Sequence, residues 1–206
     1  MYQVFLGKIS SLSTDRWAQA LALHAPTGEQ RDRWLAGRGL LSRLFAPQPL
    51  PEIVYSEQGK PGFADDYPLW FSISHCDNDI ALIVSDEGDV GCSLEQIRPQ
   101  DNWRTLANAV FSNAEHEEME NERPESQLAV FWRIWTRKGA IIKQRGAHSW
   151  QIVSIDSAAS TLHTVSHCQV GSLSLAVCTA TPFGLTTALI HSVDDASAEK
   201  WSALPE

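Results

Sequence analysis

The chain has 206 residues, 43% of them hydrophobic, enough to bury a real core as one domain or as two small, tightly joined halves. Its 16 basic and 25 acidic residues leave a formal charge of −9, which excludes an indiscriminate binder of nucleic acid or anionic membrane, so any anion site has to be a local basic patch. The N-terminal MYQVFLGKIS has no basic stretch leading into an apolar one, and nowhere does a run approach the roughly 18 apolar residues of a membrane span. A soluble, cytoplasmic protein is expected.

In chain order, the first strong helical signal is RWLAGRGLLSR, Arg33 to Arg43, a Trp-led basic segment. Short β-branched and apolar runs follow, bounded by the turn signals EQGKPG and DEGDVG: EIVYSE, FSISH and DIALIVS. FSISH sets Ser74 and His75 at the end of an apolar strand, where a hydroxyl and an imidazole either bind a phosphate or act as satisfied turn residues. In VGCSLEQIRP, Ser93 and Glu95 are two apart and share a strand face. A hard cation would want carboxylates there, whereas a single Glu95 by itself reads as a solvated strand residue. FSNAE is a capping box with Ser112 at the N-cap and Glu115 at N3, and starting a helix is sufficient reason for it. The acidic HEEMENE after it reads as a solvated face and lacks the HExxH zinc pattern.

The next helix contains WTRKGAIIK. Leu128, Phe131, Ile134, Trp135, Ile141 and Ile142 form a 3.6-residue stripe, and Lys138 falls in phase with it. A cation is therefore aimed toward the interior or its edge, where it either snorkels to water or serves an anion site built with Arg133, Arg137, Lys143 and Arg145. Gly139 breaks this helix pattern at a cost of about 1 kcal/mol relative to alanine, and it lies one helical turn before Lys143, the spacing of a glutamate–lysine pair. Cys76, Cys92, Cys168 and Cys178 lack metal-ligand or disulfide-framework spacing and are read as reduced, mostly packed thiols. No GxSxG, Walker or Rossmann motif is present.

Three segment pairs recur in the same order about a hundred residues apart. RWLAGRGLLSR resembles IWTRKGAIIKQR, EIVYSE resembles QIVSID, and SHCDNDIALIVS resembles SHCQVGSLSLAVC. An α+β fold of two duplicated halves related by a pseudo-twofold is expected, 1–98 and 99–206, sharing one interface with the site between them, and a monomer is the simplest state.

Taken together, GKP (Gly59 to Pro61), FSISH, GCSLE, FSNAE and WTRKGAIIKQRG resemble, in order and spacing, the motif series of the 4'-phosphopantetheinyl transferases, and more closely their AcpT-type members, over most of the chain. The resemblance implies transfer of the phosphopantetheine arm of coenzyme A to a serine of an acyl or peptidyl carrier protein, releasing adenosine 3',5'-bisphosphate. It further implies that Ser74 and His75 hold the 3'-phosphate side of the coenzyme with Lys60, Arg33 and Arg38 nearby, that Lys138 and Lys143 meet the phosphates, and that Glu115 assists the site. Carrier proteins are generally acidic, so the basic helix surface is a reasonable docking face.

Two positions depart from the family pattern. Where the strand motif GxDxE has aspartate this chain has Ser93, and where the helix motif WxxKExxxK has glutamate it has Gly139. Glu95 alone remains of three carboxylates that serve a magnesium ion. Weak or lost magnesium and impaired transfer are expected, the alternative being a protein that binds coenzyme A or carrier protein without catalysis.

Overall fold

Two apolar runs, Ile80 to Val84 without a break and Leu173 to Val177 interrupted only by Ser174, cannot leave either face in water, and each ends up inside a sheet. The computed structural model describes residues 1–64, 66–159 and 163–193. In the first sheet the strand order is β4 (Trp70–Cys76), β5 (Asp79–Ser85), β1 (Tyr2–Lys8), β9 (Ile190–Ser192); in the second it is β6 (Gly91–Gln96), β8 (Leu173–Cys178), β7 (Val165–Val170). Neighbours pair antiparallel except β1 and β9, which are parallel. A separate hairpin joins β2 (Ile53–Tyr55) to β3 (Pro61–Phe63).

The strand alternation assigns the layers. Ile80, Leu82 and Val84 pack with Leu40, Leu41, Leu44 and Phe45 of helix α3 (Arg31–Phe45). From the opposite face of β5, Ala81 and Ile83 meet Cys92 and Leu94 of β6 and Leu175 and Val177 of β8. On the far face of the second sheet, Ala176 and Cys178 pack against Ala140, Ile141 and Ile142 of α6 (Gln127–Arg145). The order through the molecule is thus α3, first sheet, second sheet, α6. The short helices α1 (Ile9–Leu12) and α2 (Arg16–Gln19) lie beside α3, while α4 (Trp103–Val110) and α5 (Asn113–Glu120) enclose an aromatic cluster around Phe131 of α6.

The same connectivity occurs twice: a strand, a long helix and a hairpin whose second strand pairs with the first strand. Two details differ from the sequence expectation. QIVSID lies largely in a 3₁₀ segment, Ser149–Ser154, whereas EIVYSE contains strand β2. β6, which precedes the division expected at 98/99, pairs with β8 of the second sheet, and β9 returns to the first sheet. The final part of the expected second half, 194–206, lies outside the described residues.

Where edge strands β4 and β6 meet, backbone pairing is replaced by side chains. The amide of Cys92 donates to Ser72 Oγ at 3.1 Å and that of Leu94 to Ser74 Oγ at 3.0 Å, all in buried surroundings. Two hydroxyls spaced by two residues match the two-residue repeat of outward amides on an edge strand. Truncating Ser74 to alanine orphans the Leu94 amide and should cost about 1–3 kcal/mol of stability. Chemical denaturation would measure it, and a change within error would remove the hydroxyl from the account of how the sheets are joined.

Candidate functional site

A cleft of about 220 Å³ opens between the turn at Gln58–Pro61, the middle of β4 at Phe71–Ile73 and the C-terminal turn of α6 at Ile142, Lys143, Gly146 and Ala147. Helix α6 stops there because Gly146 takes a left-handed conformation, φ 63°, which few side chains tolerate. A second hollow of about 440 Å³ lies on the other side of the same turn and shares Lys60, Pro61 and Phe71 with the first. Lys60 occupies the wall between them. Its ammonium donates to Asp89 Oδ1 (2.5 Å), to the Gln144 carbonyl (3.0 Å) and to the Val90 carbonyl (3.2 Å), fastening the turn to the β5–β6 loop and to α6.

His75 at the end of β4 lies within electrostatic reach of Lys143 from α6 and Arg33 from α3. Desolvation and these two cations push its imidazole down to about 4 from an ordinary 6.5. Desolvation lowers Lys143 as well, with Cys92 and Glu95 acting in the opposite direction. Burial raises the Glu95 carboxyl, and it is offset by a hydrogen bond from the Cys76 thiol (3.7 Å) and by the charges of Arg98 and Lys143. Arg98 also donates to Asp77 Oδ2 at 2.5 Å and to Cys76 Sγ at 3.6 Å. The structure therefore sets His75 near Lys143 and Arg33, and Lys143 near Glu95, while Lys60 lines the same cleft as Lys143.

His75 and His167, both displaced to about 4, give a pH prediction. Between about 4 and 6.5 the unfolded chain binds protons that the folded chain refuses, so stability falls as pH drops through that window. The C2 proton of His75 should titrate in NMR with a midpoint near 4; a midpoint near 6.5 would contradict the cationic surroundings. Because part of the His75 side chain is exposed while its ring is largely desolvated, solvent screens some of its contribution to stability, and its titration midpoint remains readable.

Four sequence expectations need correction. Lys138 is in phase with the apolar stripe as read, and it is fully buried; the anion it meets belongs to the protein. Its ammonium bonds Glu115 Oε1 at 2.8 Å and the Ile155 carbonyl. Five residues separate Lys138 from Lys143, placing them about 140° apart around the helix, so they do not share a hollow. Glu115 is likewise fully buried; it accepts from the Ser112 amide (2.8 Å) in the capping box and from the Ser157 amide (2.9 Å) and hydroxyl (2.6 Å), so it cannot reach a substrate in this arrangement. Ser74 is only 4% exposed, with its oxygen committed to Leu94, and it positions β6 instead of lining the cleft. Arg38 is occupied by the Tyr55 hydroxyl, with its guanidinium over the rings of Trp34 (5.5 Å) and Tyr55 (5.8 Å). The expected basic cluster is also smaller than it reads, since Arg133 and Arg137 both bind Glu118, at 2.6 to 2.9 Å.

Positions 93 and 139 lie face to face. A Cβ built on Gly139 would stand 2.6 Å from Ser93 Oγ and 3.1 Å from Ser93 Cβ, and Ser93 is only 8% exposed. Two residues earlier, a Cβ on Gly91 would run into the backbone of Ala140 and Gln144. Helix and strand are therefore packed nearly backbone to backbone. The three-carboxylate magnesium seat implied by the family resemblance does not fit these residues: a hydroxyl and a hydrogen atom stand where two carboxylates would be, and among the described residues no group of three His, Cys, Asp or Glu side chains is placed to hold a metal.

Sequence reasoning passed over Gly91 and Ser72. Gly91 had a readable signal, since a glycine inside a strand marks close backbone approach. Ser72 had none, because its partner is an amide twenty residues away.

Known proteins resemble this chain closely. The model of the 4'-phosphopantetheinyl transferase superfamily matches residues 89–192. The 4'-phosphopantetheinyl transferase AcpT of Salmonella typhimurium is 63% identical over 186 residues, 90% of this chain and 96% of that protein. AcpT of Escherichia coli K12 is 57% identical over 194 residues, covering 94% and 98%. More distantly, the 4'-phosphopantetheinyl transferase HetI of Nostoc is 31% identical over 145 residues, 66% of this chain and 60% of that protein. A matched region that spans the facing strand and helix, with relatives aligned along nearly their full length, means that this chain belongs to the 4'-phosphopantetheinyl transferase superfamily.

Proposed function

We propose that the chain binds coenzyme A in the cleft beside Lys143 and that its transfer of phosphopantetheine to a carrier-protein serine is severely impaired. In that transfer the serine oxygen forms a bond to the phosphorus bearing the pantetheine arm. The bond from that phosphorus to the bridging oxygen breaks, adenosine 3',5'-bisphosphate leaves, and the serine proton passes to a base. Phosphoryl transfer depends chiefly on positioning and charge neutralisation. Lys143 and Arg33 supply the cations for the binding part, Lys60 lines the cleft while paired with Asp89, and His75, neutral at physiological pH, offers a ring nitrogen as a hydrogen-bond partner. At 220 Å³ the cleft accommodates one end of the ligand, and the remainder lies over open surface.

The observation that carries the impairment is the contact between Ser93 and Gly139. No side chain at 139 is available to take the serine proton, and Glu95 is engaged by the Cys76 thiol and screened by Arg98 and Lys143. Losing a general base slows transfer by about 10²–10⁴-fold. A cytoplasmic monomer acting on an acidic acyl or peptidyl carrier protein completes the reading. No helix among the described residues is long and apolar enough to cross a membrane.

Calorimetry with coenzyme A, paired with mass spectrometry of an apo carrier protein, tests both halves of the proposal. Binding heat with little or no mass gain on the carrier is the expected result. Rapid, complete modification would overturn the impairment, and absence of heat would overturn the binding.

A further inference from the structure

Resting on the coenzyme reading above, we propose that this cleft grips its diphosphate with protein cations alone, so that coenzyme A binds without a divalent ion. Counting ligands does not decide the matter, since a magnesium ion is commonly held by one or two carboxylates together with substrate phosphates, and Glu95 is one carboxylate. The surroundings of Glu95 decide it. The Cys76 thiol donates to its Oε2, and the charges of Arg98 and Lys143 act on it from the loop after β6 and from α6. Asp77 is the other acidic group acting on Glu95, and it is already paired with Arg98. A divalent ion at Glu95 would sit among cations that repel it, with no second carboxylate at 93 or 139 to outweigh them.

The steric arrangement leads to the same conclusion. Even a Cβ added at Gly139 would stand 2.6 Å from Ser93 Oγ, so the gap between α6 and β6 is narrow at this point and no carboxylate lines it from either residue. A phosphate group has the opposite preference. Lys143 and Arg33 converge on the end of β4, where they hold His75 neutral, and in a chain of net charge −9 such a local pair of cations selects anions. Glu95 then changes role: instead of attracting the ligand through a metal, its charge opposes the incoming diphosphate.

The two roles predict opposite signs for one isosteric substitution. Calorimetric titration of the full chain with coenzyme A is expected to give dissociation constants in EDTA and in millimolar magnesium that agree within about twofold. Glu95→Gln is expected to tighten binding by about two- to fivefold in both buffers, because a like charge near the phosphates is removed. Lys143→Ala is expected to weaken binding by about tenfold or more in both. Tightening of about tenfold or more by magnesium in the unmodified chain, abolished in Glu95→Gln, would overturn the metal-free grip while leaving the coenzyme reading intact. Absence of binding in both buffers would overturn the coenzyme reading and this inference together.

Discussion

Replacing Lys138 with methionine is expected to lower stability by about 3–5 kcal/mol, because it strands the buried carboxylate of Glu115 without its counter-charge. For a chain of this size that corresponds to a fall in melting temperature of roughly 6–20 °C. Both partners are wholly out of water, and their ion pair is backed by donors from Ser112 and Ser157 and by the Ile155 carbonyl. Removing one member is far more damaging than neutralising both. Lys138→Met combined with Glu115→Gln should therefore recover part of the loss, since no charge is left buried, although the single glutamine carbonyl can accept on only one of the two sides now served by the Ser112 and Ser157 amides. Calorimetric scans of the single and double variants would show this. At temperatures where the single variant stays folded, coenzyme A should bind it as it binds the unmodified chain. A large loss of affinity with normal stability would instead place the Lys138 ammonium on the ligand.

Restoring Ser93→Asp together with Gly139→Glu is expected to raise the transfer rate by about 100-fold or more in the presence of magnesium. The same double variant should melt lower without magnesium, since two new carboxylates are forced beside Glu95 and like charges at close range oppose folding. Gly139→Glu alone is a poorer test. It supplies only one of the two carboxylates, and its Cβ would stand 2.6 Å from Ser93 Oγ, so the side chain at 93 must rotate and the helix shift in the single and double variants alike. The single variant should lose stability and gain little activity. A double variant with unchanged activity and unchanged melting would mean that these two positions are not what limits the chain.

Much of the molecule was legible from its sequence because the relevant physics is local. The capping box at Ser112 and Glu115, the burial of Lys138 in the α6 stripe, and the paired helix and hairpin segments all follow from residue spacing along one element. The contact between 93 and 139 could be anticipated only through the motif pattern, and the coordinates give it a physical meaning as direct packing of helix on strand.

What escaped the sequence was the identity of partners. The spacing of Lys138 reveals that it points inward, and nothing local reveals that Glu115 and Ile155 receive it in place of a phosphate. Ser74 likewise looks the same whether its oxygen meets a ligand or the amide of Leu94 on another sheet. Arg133 and Arg137 read as free cations until the fold lays Glu118 of α5 across both of them. The partner of β6 is equally invisible locally: β6 precedes 98/99 in the chain and pairs with β8, almost eighty residues later.

The account is tested most directly by following the mass of an apo carrier protein incubated with coenzyme A and magnesium, comparing the unmodified chain with the Ser93→Asp/Gly139→Glu variant under identical conditions. The predicted result is modification by the variant at least about 100-fold faster than by the unmodified chain, which nonetheless binds the coenzyme. Equal rates, with the unmodified chain converting the carrier fully, would contradict it.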